Sequence, residues 1–181
     1  MIAGDLFPAP QLAVTEWVNV NSGVDITLQE LSGEVVVIEA FQMLCPGCVS
    51  HGLPQAQRIH ERFGREVQVL GLHTVFEHHA AMTPVSLRAF LREYRITFPV
   101  GVDTHESGVD TPVTMGRYQL RGTPSLIVID RAGQVRANFF GQHGDLSLGA
   151  LLARLIDEPK PVGCAPQGCE SRTDEGSAFP S

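Results

Sequence analysis

The chain contains, at residues 35–48, the stretch Val35-Val36-Val37-Ile38-Glu39-Ala40-Phe41-Gln42-Met43-Leu44-Cys45-Pro46-Gly47-Cys48. Its first seven residues are apolar with one exception, which predicts a strand buried on both faces of a parallel or mixed sheet. The exception is Glu39, whose carboxyl group is costly to bury without a partner or a task. Two cysteines follow at a spacing that places them in the first turn of a helix. The stretch therefore predicts a buried acid beside a dithiol at a strand-to-helix junction.

Strand-like and helix-like patterns alternate along the rest of the chain. The apolar residues from Pro46 to Phe63 recur with a helical period that Pro54 should kink. Hairpins are predicted near the N-terminus, from Trp17 to Ile26, and across the turn at residues 130–133. Further elements are predicted at these residues: strands 67–72 and 98–102, helices from 83, around 115–118 and through 156 from an N-cap at Asp145. This order predicts an α/β fold with a mixed central sheet flanked by helices and an N-terminal β-hairpin extension.

Composition limits the class of protein. The 181 residues carry a net charge of −7, which argues against nonspecific binding to nucleic acid or to anionic lipid. No stretch has the pattern of a signal peptide or a membrane span, so we expect a cytoplasmic protein that binds neither membranes nor nucleic acid. Residues 1–157 are predicted to form one domain, and residues 158–181, rich in Pro, Gly and Ser, a flexible tail.

The four cysteines form two close pairs, Cys45 with Cys48 and Cys164 with Cys169. At a helix N-terminus, unpaired N–H groups and the helix dipole favour the thiolate of Cys45. Cys48 lies three residues on, where it can resolve a mixed disulfide. Two alternatives remain open from the residues alone: inert core thiols, or a zinc site shared with the second pair.

Two segments carry a resemblance to a known family. Residues 41–48, with the Cys-Pro-Gly-Cys motif, and Gly122-Thr123-Pro124-Ser125 resemble the active-site and cis-proline loops of thioredoxin-fold proteins. Over roughly residues 12–157 the chain is similar to TlpA-like redoxins and their peroxiredoxin relatives. The resemblance implies that Cys45 attacks, that Cys48 resolves and that Thr123-Pro124 is a cis peptide beside the dithiol. It also implies that Glu39 handles the Cys48 proton.

The sequence departs from the family pattern at two positions. Leu44 replaces the tryptophan that usually precedes the first cysteine, which leaves the partner of the dithiol open. Gln42 stands where a peroxiredoxin would have the threonine that orients its peroxidatic cysteine. The second departure weakens a peroxidase function.

Several polar residues have both a structural and a functional interpretation. Glu39 is either a half-exposed strand acid or a buried proton acceptor whose pKa is raised by desolvation. His51 should share a helix face with Cys48, where it would tune the thiol or simply be solvated. A metal site could be formed by His73, Glu77, His78 and His79, although a polar loop explains these residues better.

The sequence therefore predicts a thiol–disulfide oxidoreductase that uses the Cys45/Cys48 dithiol on protein or small-thiol disulfides, with an external reductant and no cofactor. The alternatives are a thiol peroxidase and a redoxin that binds copper or zinc through its cysteines. Cys164 and Cys169 are a second candidate redox pair. We expect that pair to form a local disulfide, or to exchange with another subunit, more readily than with its own Cys45.

Overall fold

A computed structural model describes residues 7–160 of the protein. Within them, seven strands form one mixed sheet in the order β1-β7-β6-β3-β4-β5-β2. The strands are β1 (Phe7–Pro8), β2 (Val14–Val18), β3 (Val35–Phe41), β4 (Val67–His73), β5 (Val100–Asp103), β6 (Ser125–Ile129) and β7 (Gln134–Phe140). The α-helices are α1 (Leu53–Phe63), α2 (Pro84–Glu93), α3 (Val113–Arg117) and α4 (Asp145–Asp157), and a π-helical turn, Cys48–Gly52, precedes α1. The predicted α/β class with a mixed central sheet is confirmed.

Strand β3 is the centre of the sheet. It pairs in parallel with β4 and antiparallel with β6, and all seven of its residues are buried. Because side chains alternate across a strand, β3 supplies both halves of the core. Val35, Val37 and Phe41 pack on the face covered by α1, α2 and α4. The apolar residues that alternate with this face along β3 pack on the opposite side of the sheet, against α3. Glu39 belongs to the first face by the same alternation.

The helical connections explain the parallel strands. Helix α1 links β3 to β4, and α2 links β4 to β5, and each crossover leaves the next strand parallel. The predicted hairpin is present as β6 and β7. Its turn is held by Asp130 Oδ1, which accepts the N–H groups of Ala132 and Gln134, and by Gly133 at a φ of 73°.

The predicted N-terminal hairpin is wrong. Residues 24–26 form no strand, and β2 pairs with β5, while β1 pairs with β7. Both N-terminal strands therefore extend the main sheet. Strand β2 fits there because Gly101 has no side chain, which leaves room for the side chain of Val14 and for the indole ring of Trp17. The segment at 24–26 still contacts β2, through a 2.7 Å hydrogen bond from Trp17 Nε1 to Asp25 Oδ1.

The starts of α1 and α4 differ from the predicted pattern. Pro54 lies in the first turn of α1, so the helical segment changes from π-helical to α-helical geometry just before the proline. The kink at Pro54 stays a prediction. Asp145 is not the N-cap of α4, since Gly144 occupies that position and Asp145 lies in the first turn. There its Oδ1 accepts a hydrogen bond from Gln55 Nε2, which ties α4 to α1. None of the helices between residues 7 and 160 combines the length and apolar character that crossing a bilayer requires.

Candidate active site

The two cysteines of the motif lie just beyond the C-terminal end of β3. Both are free thiols, Cys45 half-buried and Cys48 fully buried. The backbone N–H of Cys48 donates to Cys45 Sγ over 3.2 Å, and the Cys45 thiol donates to the Thr123 carbonyl over 3.4 Å. Two hydrogen bonds therefore hold the Cys45 sulfur, which is partly exposed to a partner molecule, whereas the Cys48 sulfur is not exposed to solvent.

The loop before β6 packs against this turn. The peptide bond between Thr123 and Pro124 is cis, as the resemblance implied. A Cβ built on Gly47 would lie 3.2 Å from Pro124 Cδ, so the proline ring is in close contact with the backbone between the two cysteines. The structure therefore brings together the two segments that carry the resemblance, although 78 residues separate Cys45 from Thr123.

Glu39 is buried beneath this turn, with only 1% of its surface exposed. It pairs with Gly71 of β4 and Leu126 of β6, so a strand flanks it on each side. Burial, and to a smaller extent the nearby charge of Cys45, raises the pKa of its carboxyl group well above the usual range. Among residues 7–160, no group forms a hydrogen bond with its Oε1 atom. The half-exposed alternative for Glu39 is therefore excluded.

The buried thiol of Cys48 is hard to ionise. Burial and the hydrogen bond with Cys45 raise its pKa far above that of a free thiol. A thiol with so high a pKa becomes a nucleophile only when a base takes its proton in the same step. The π-helical turn that begins at this thiol ends at Gly52, where an added Cβ would overlap Glu39 Oε1. The thiol and the buried carboxyl group therefore border the same turn.

His51 does not lie where its sequence spacing suggested. It is exposed, and its Nδ1 forms a 2.7 Å hydrogen bond with Ser50 Oγ rather than with either sulfur. The reason is the π-helical turn at Cys48–Gly52, because residues three apart do not stack in so wide a turn. The solvated interpretation of His51 is the one the structure favours.

The four residues considered for a metal site are dispersed. His73 ends β4 and is buried with its ring 5.3 Å from that of Phe41, while His78 and His79 are exposed in the following loop. Burial lowers the pKa of His73 to about 4. Between residues 7 and 160 no three His, Cys, Asp or Glu side chains cluster as metal ligands would. The metal-binding alternative therefore finds no ligand set in that part of the chain; Cys164 and Cys169 lie outside it.

Sequence reasoning missed two features of the site. One is Gly52, whose backbone touches Glu39; a glycine inside an apolar helical pattern was the available signal. The other is the exposed rim around Cys45, where Leu44 is 56% and Phe140 52% exposed. The Phe140 ring packs on Gly122, and Arg121 lies 5.5 Å over the ring centroid. These residues come from separate segments, so no local pattern could have joined them.

Comparison with known proteins agrees with this geometry. The profile of the AhpC/TSA family matches residues 4–138, well over half of the chain. The crystal structure of a thioredoxin-like superfamily protein is similar, with 58% sequence identity, a TM-score of 0.81, and coverage of 85% of this chain and 99% of that one. The structure of a thiol-disulfide isomerase from Corynebacterium glutamicum is also similar, with 51% identity, a TM-score of 0.78, and coverage of 83% and 98%.

A curated relative extends well beyond this domain. Protein DipZ of Mycobacterium bovis is 27% identical over 170 residues, which is 92% of this chain but 23% of DipZ. The chain thus spans about a quarter of the length of that relative. The family match, the two solved structures, the fold and the paired thiols agree with one another. The chain therefore belongs to the AhpC/TSA family, as an oxidoreductase of the thioredoxin-fold redoxin class.

Proposed function

We propose that this redoxin reduces or exchanges disulfides in proteins or small thiols through the Cys45/Cys48 dithiol. The observation that carries the proposal is the inequality of the two sulfurs. Cys45 is half-buried and accepts the N–H of Cys48, an arrangement that stabilises a thiolate, while Cys48 is buried with a raised pKa. One sulfur is equipped to attack, and the other is protected until a mixed disulfide holds the substrate beside it.

The proposed reaction has two exchange steps. The Cys45 thiolate attacks one sulfur of the substrate disulfide; a mixed disulfide forms, and the other substrate sulfur leaves as a thiolate that takes a proton from solvent. Cys48 then loses its proton, attacks Cys45 Sγ and closes the Cys45–Cys48 disulfide. The second substrate thiolate leaves and is protonated in turn. The substrate disulfide gains two electrons, which the dithiol loses, and an external dithiol reductant restores the starting state.

Glu39 is proposed as the acceptor of the Cys48 proton. Its pKa is raised, so the carboxylate is a stronger base than an exposed glutamate would be. Its Oε1 is buried without a hydrogen-bond partner in the described part of the chain, and a free acceptor atom is what proton transfer requires. The assignment concerns the second step, because Cys45 already has the backbone N–H of Cys48 to stabilise its charge.

A trapping experiment tests the dithiol mechanism. Cys48→Ser should accumulate a mixed disulfide between Cys45 and a protein or small-thiol disulfide, since the resolving sulfur is gone. Cys45→Ser should trap nothing, because Cys48 is buried. Mass spectrometry of the non-reduced products measures both. Equal trapping by the two variants, or trapping by Cys45→Ser alone, would contradict the assignment.

The thiol peroxidase alternative makes a different prediction. A peroxidase needs one peroxidatic cysteine in a polar shell, and Gln42 is a poor match for that shell; its Oε1 already accepts the Phe76 N–H over 3.3 Å. We therefore expect Cys48→Ser to consume hydrogen peroxide no faster than a free thiol does. Rapid peroxide consumption by that variant would favour the alternative.

The direction of electron flow and the setting of the enzyme are further proposals. A Cys45/Cys48 potential near ~−270 mV would indicate a reductant, and one near ~−120 mV an oxidant. The cytoplasmic location stays a prediction that cell fractionation can test. The second pair, Cys164 and Cys169, lies outside the described residues. Mapping its disulfides after mild oxidation would show whether it pairs locally.

A further inference from the structure

Gly52 lies between the Glu39 carboxyl group and Pro124. A Cβ built on Gly52 would overlap Glu39 Oε1 and lie 3.0 Å from Glu39 Cδ and 2.9 Å from Pro124 Cβ. Contacts of a Cβ atom below 3.0 Å are essentially absent from real structures. The space that a side chain at position 52 would need is therefore filled by the proposed base.

Backbone conformation does not explain the glycine. Gly52 has a φ of −59° and a ψ of −59°, which is right-handed helical and open to any residue. A glycine in a helical segment is disfavoured against alanine by about 1 kcal/mol. By contrast, a Cβ on Gly149, which lies inside α4, would meet nothing within 4 Å. The requirement at position 52 is thus steric, and the atoms that impose it belong to Glu39 and Pro124.

The π-helical turn brings Gly52 to this place. The turn begins at Cys48 and ends at Gly52, and the N–H of Leu53 donates to the Cys48 carbonyl. One wide turn therefore carries the resolving thiol at its start and, at its end, the backbone that touches Glu39. Wide turns of this kind are frequent at functional sites. Here the turn links the positions of the proton donor and the proton acceptor.

We propose that Gly52 is a positioning residue for Glu39, whose missing side chain lets the buried carboxyl group lie against the turn that carries Cys48. The proposal rests on the base role assigned to Glu39 above. It predicts that a methyl group at position 52 displaces the carboxyl group from that turn. Resolution of the mixed disulfide should then slow while its formation does not.

The test compares four variants in stopped-flow exchange with a model disulfide: Gly52→Ala, Gly52→Ala with Glu39→Asp, Glu39→Gln and Gly149→Ala. Gly52→Ala should slow resolution about tenfold or more, within the range that a positioned base supplies. The shorter aspartate side chain of Glu39→Asp leaves room for the methyl group, so the double variant should resolve faster than Gly52→Ala alone. Gly149→Ala is the matched control for a glycine-to-alanine change in a helix and should resolve like the wild type.

The pH dependence of resolution separates positioning from general damage. The charge of Cys45 contributes to the raised pKa of Glu39, and Cys45 is present in every variant. Gly52→Ala should therefore adopt the pH profile of Glu39→Gln. A uniform loss at every pH, with no rescue by the shorter acid, would overturn the proposal.

The outcomes distinguish this proposal from the one it rests on. If Glu39→Gln resolves at the wild-type rate, the base role itself fails. If Glu39→Gln is slow and Gly52→Ala is not, only the role of Gly52 fails. If Gly52→Ala folds too poorly for kinetics, a double-mutant cycle replaces them. It compares the thermal stability of the wild type, Gly52→Ala, Glu39→Ala and the double variant. The cost of the methyl group should then fall when the carboxyl group is absent, and an unchanged cost would refute the contact.

Discussion

The backbone N–H of Cys48 donates to Cys45 Sγ over 3.2 Å, and this contact makes the two sulfurs of the motif chemically unequal. The acceptor sulfur is half-exposed, and the residue that donates to it keeps its own thiol buried. The Cys48 N–H group is therefore placed to stabilise a negative charge on Cys45, whereas the Cys48 thiol is buried.

Alkylation should report this inequality. Iodoacetamide should modify Cys45 first, because Cys48 is buried and its pKa is raised. Modification of Cys48 in the Cys45→Ser variant should begin only at higher pH. Peptide mass spectrometry over a pH series measures both rates. Faster labelling of Cys48 than of Cys45 would reverse the roles.

Replacing the buried acid should affect one step only. Glu39→Gln keeps the size of the side chain but removes its basicity, so resolution should slow about tenfold or more while formation of the mixed disulfide is unchanged. Stopped-flow exchange separates the two phases. A second phase as fast as that of the wild type would make Glu39 structural.

Glu39→Gln should also be more stable than the wild type at high pH. The folded-state pKa of Glu39 is raised, so the stability that is present below the unfolded pKa is lost as pH rises through the folded value.

The buried histidine should make the fold sensitive to acid. Burial lowers the pKa of His73 to about 4, below the ~6.5 of an unfolded chain, so the unfolded state takes up a proton that the fold excludes. Its contribution is complete above pH ~6.5 and is lost as pH falls toward 4, with a cost of about 2 kcal/mol at pH 5. Urea unfolding of His73→Leu should show a shallower pH dependence than the wild type. His78→Leu, at an exposed position, should keep the wild-type slope.

The rim beside the cis-proline loop should influence which substrates react. Arg121 is exposed over Phe140, and between residues 7 and 160 no carboxylate forms an ion pair with it. We expect Arg121→Glu to lower kcat/KM about two- to fivefold for a disulfide peptide with glutamate beside its cysteine, as for a surface ion pair of up to ~1 kcal/mol. The same variant should favour a lysine-containing peptide.

The control for this prediction is a charge change far from the site. Arg65 is exposed just before β4, at the opposite end of the sheet from Cys45. Arg65→Glu should leave both peptides unaffected. An identical response of the two variants would mean that net charge, and not the rim, sets the preference.

Local patterns predicted the parts of the fold that depend on local physics. The bounds of β3 and the burial of Glu39 follow from an apolar run that only a central strand can accommodate. The turn of the β6–β7 hairpin follows from the side chain of Asp130, which accepts a backbone N–H in the turn, and from the backbone of Gly133, which adopts a positive φ. The placement of the dithiol after β3 was predictable for the same reason, since the two cysteines adjoin the strand.

Distant contacts decided the rest. Residues 17–26 had a plausible local turn, but Val14–Val18 pairs with β5 and Phe7–Pro8 pairs with β7, so both strands lie at edges of the main sheet. The π-helical turn, which the apolar spacing did not predict, leaves residues three apart on different faces and so separates His51 from Cys48.

The sequence by itself determined the central strand, the dithiol that follows it and the acid within it, because each is specified by residues next to one another. Only the tertiary structure decided that Gly52 lies between the Glu39 carboxyl group and Pro124, and that the Thr123 carbonyl accepts a hydrogen bond from the Cys45 thiol. The physical reason is that burial and contact are properties of packed surfaces. Cys45 and Thr123 are 78 positions apart in the chain, and the antiparallel pairing of β6 with β3 makes them neighbours.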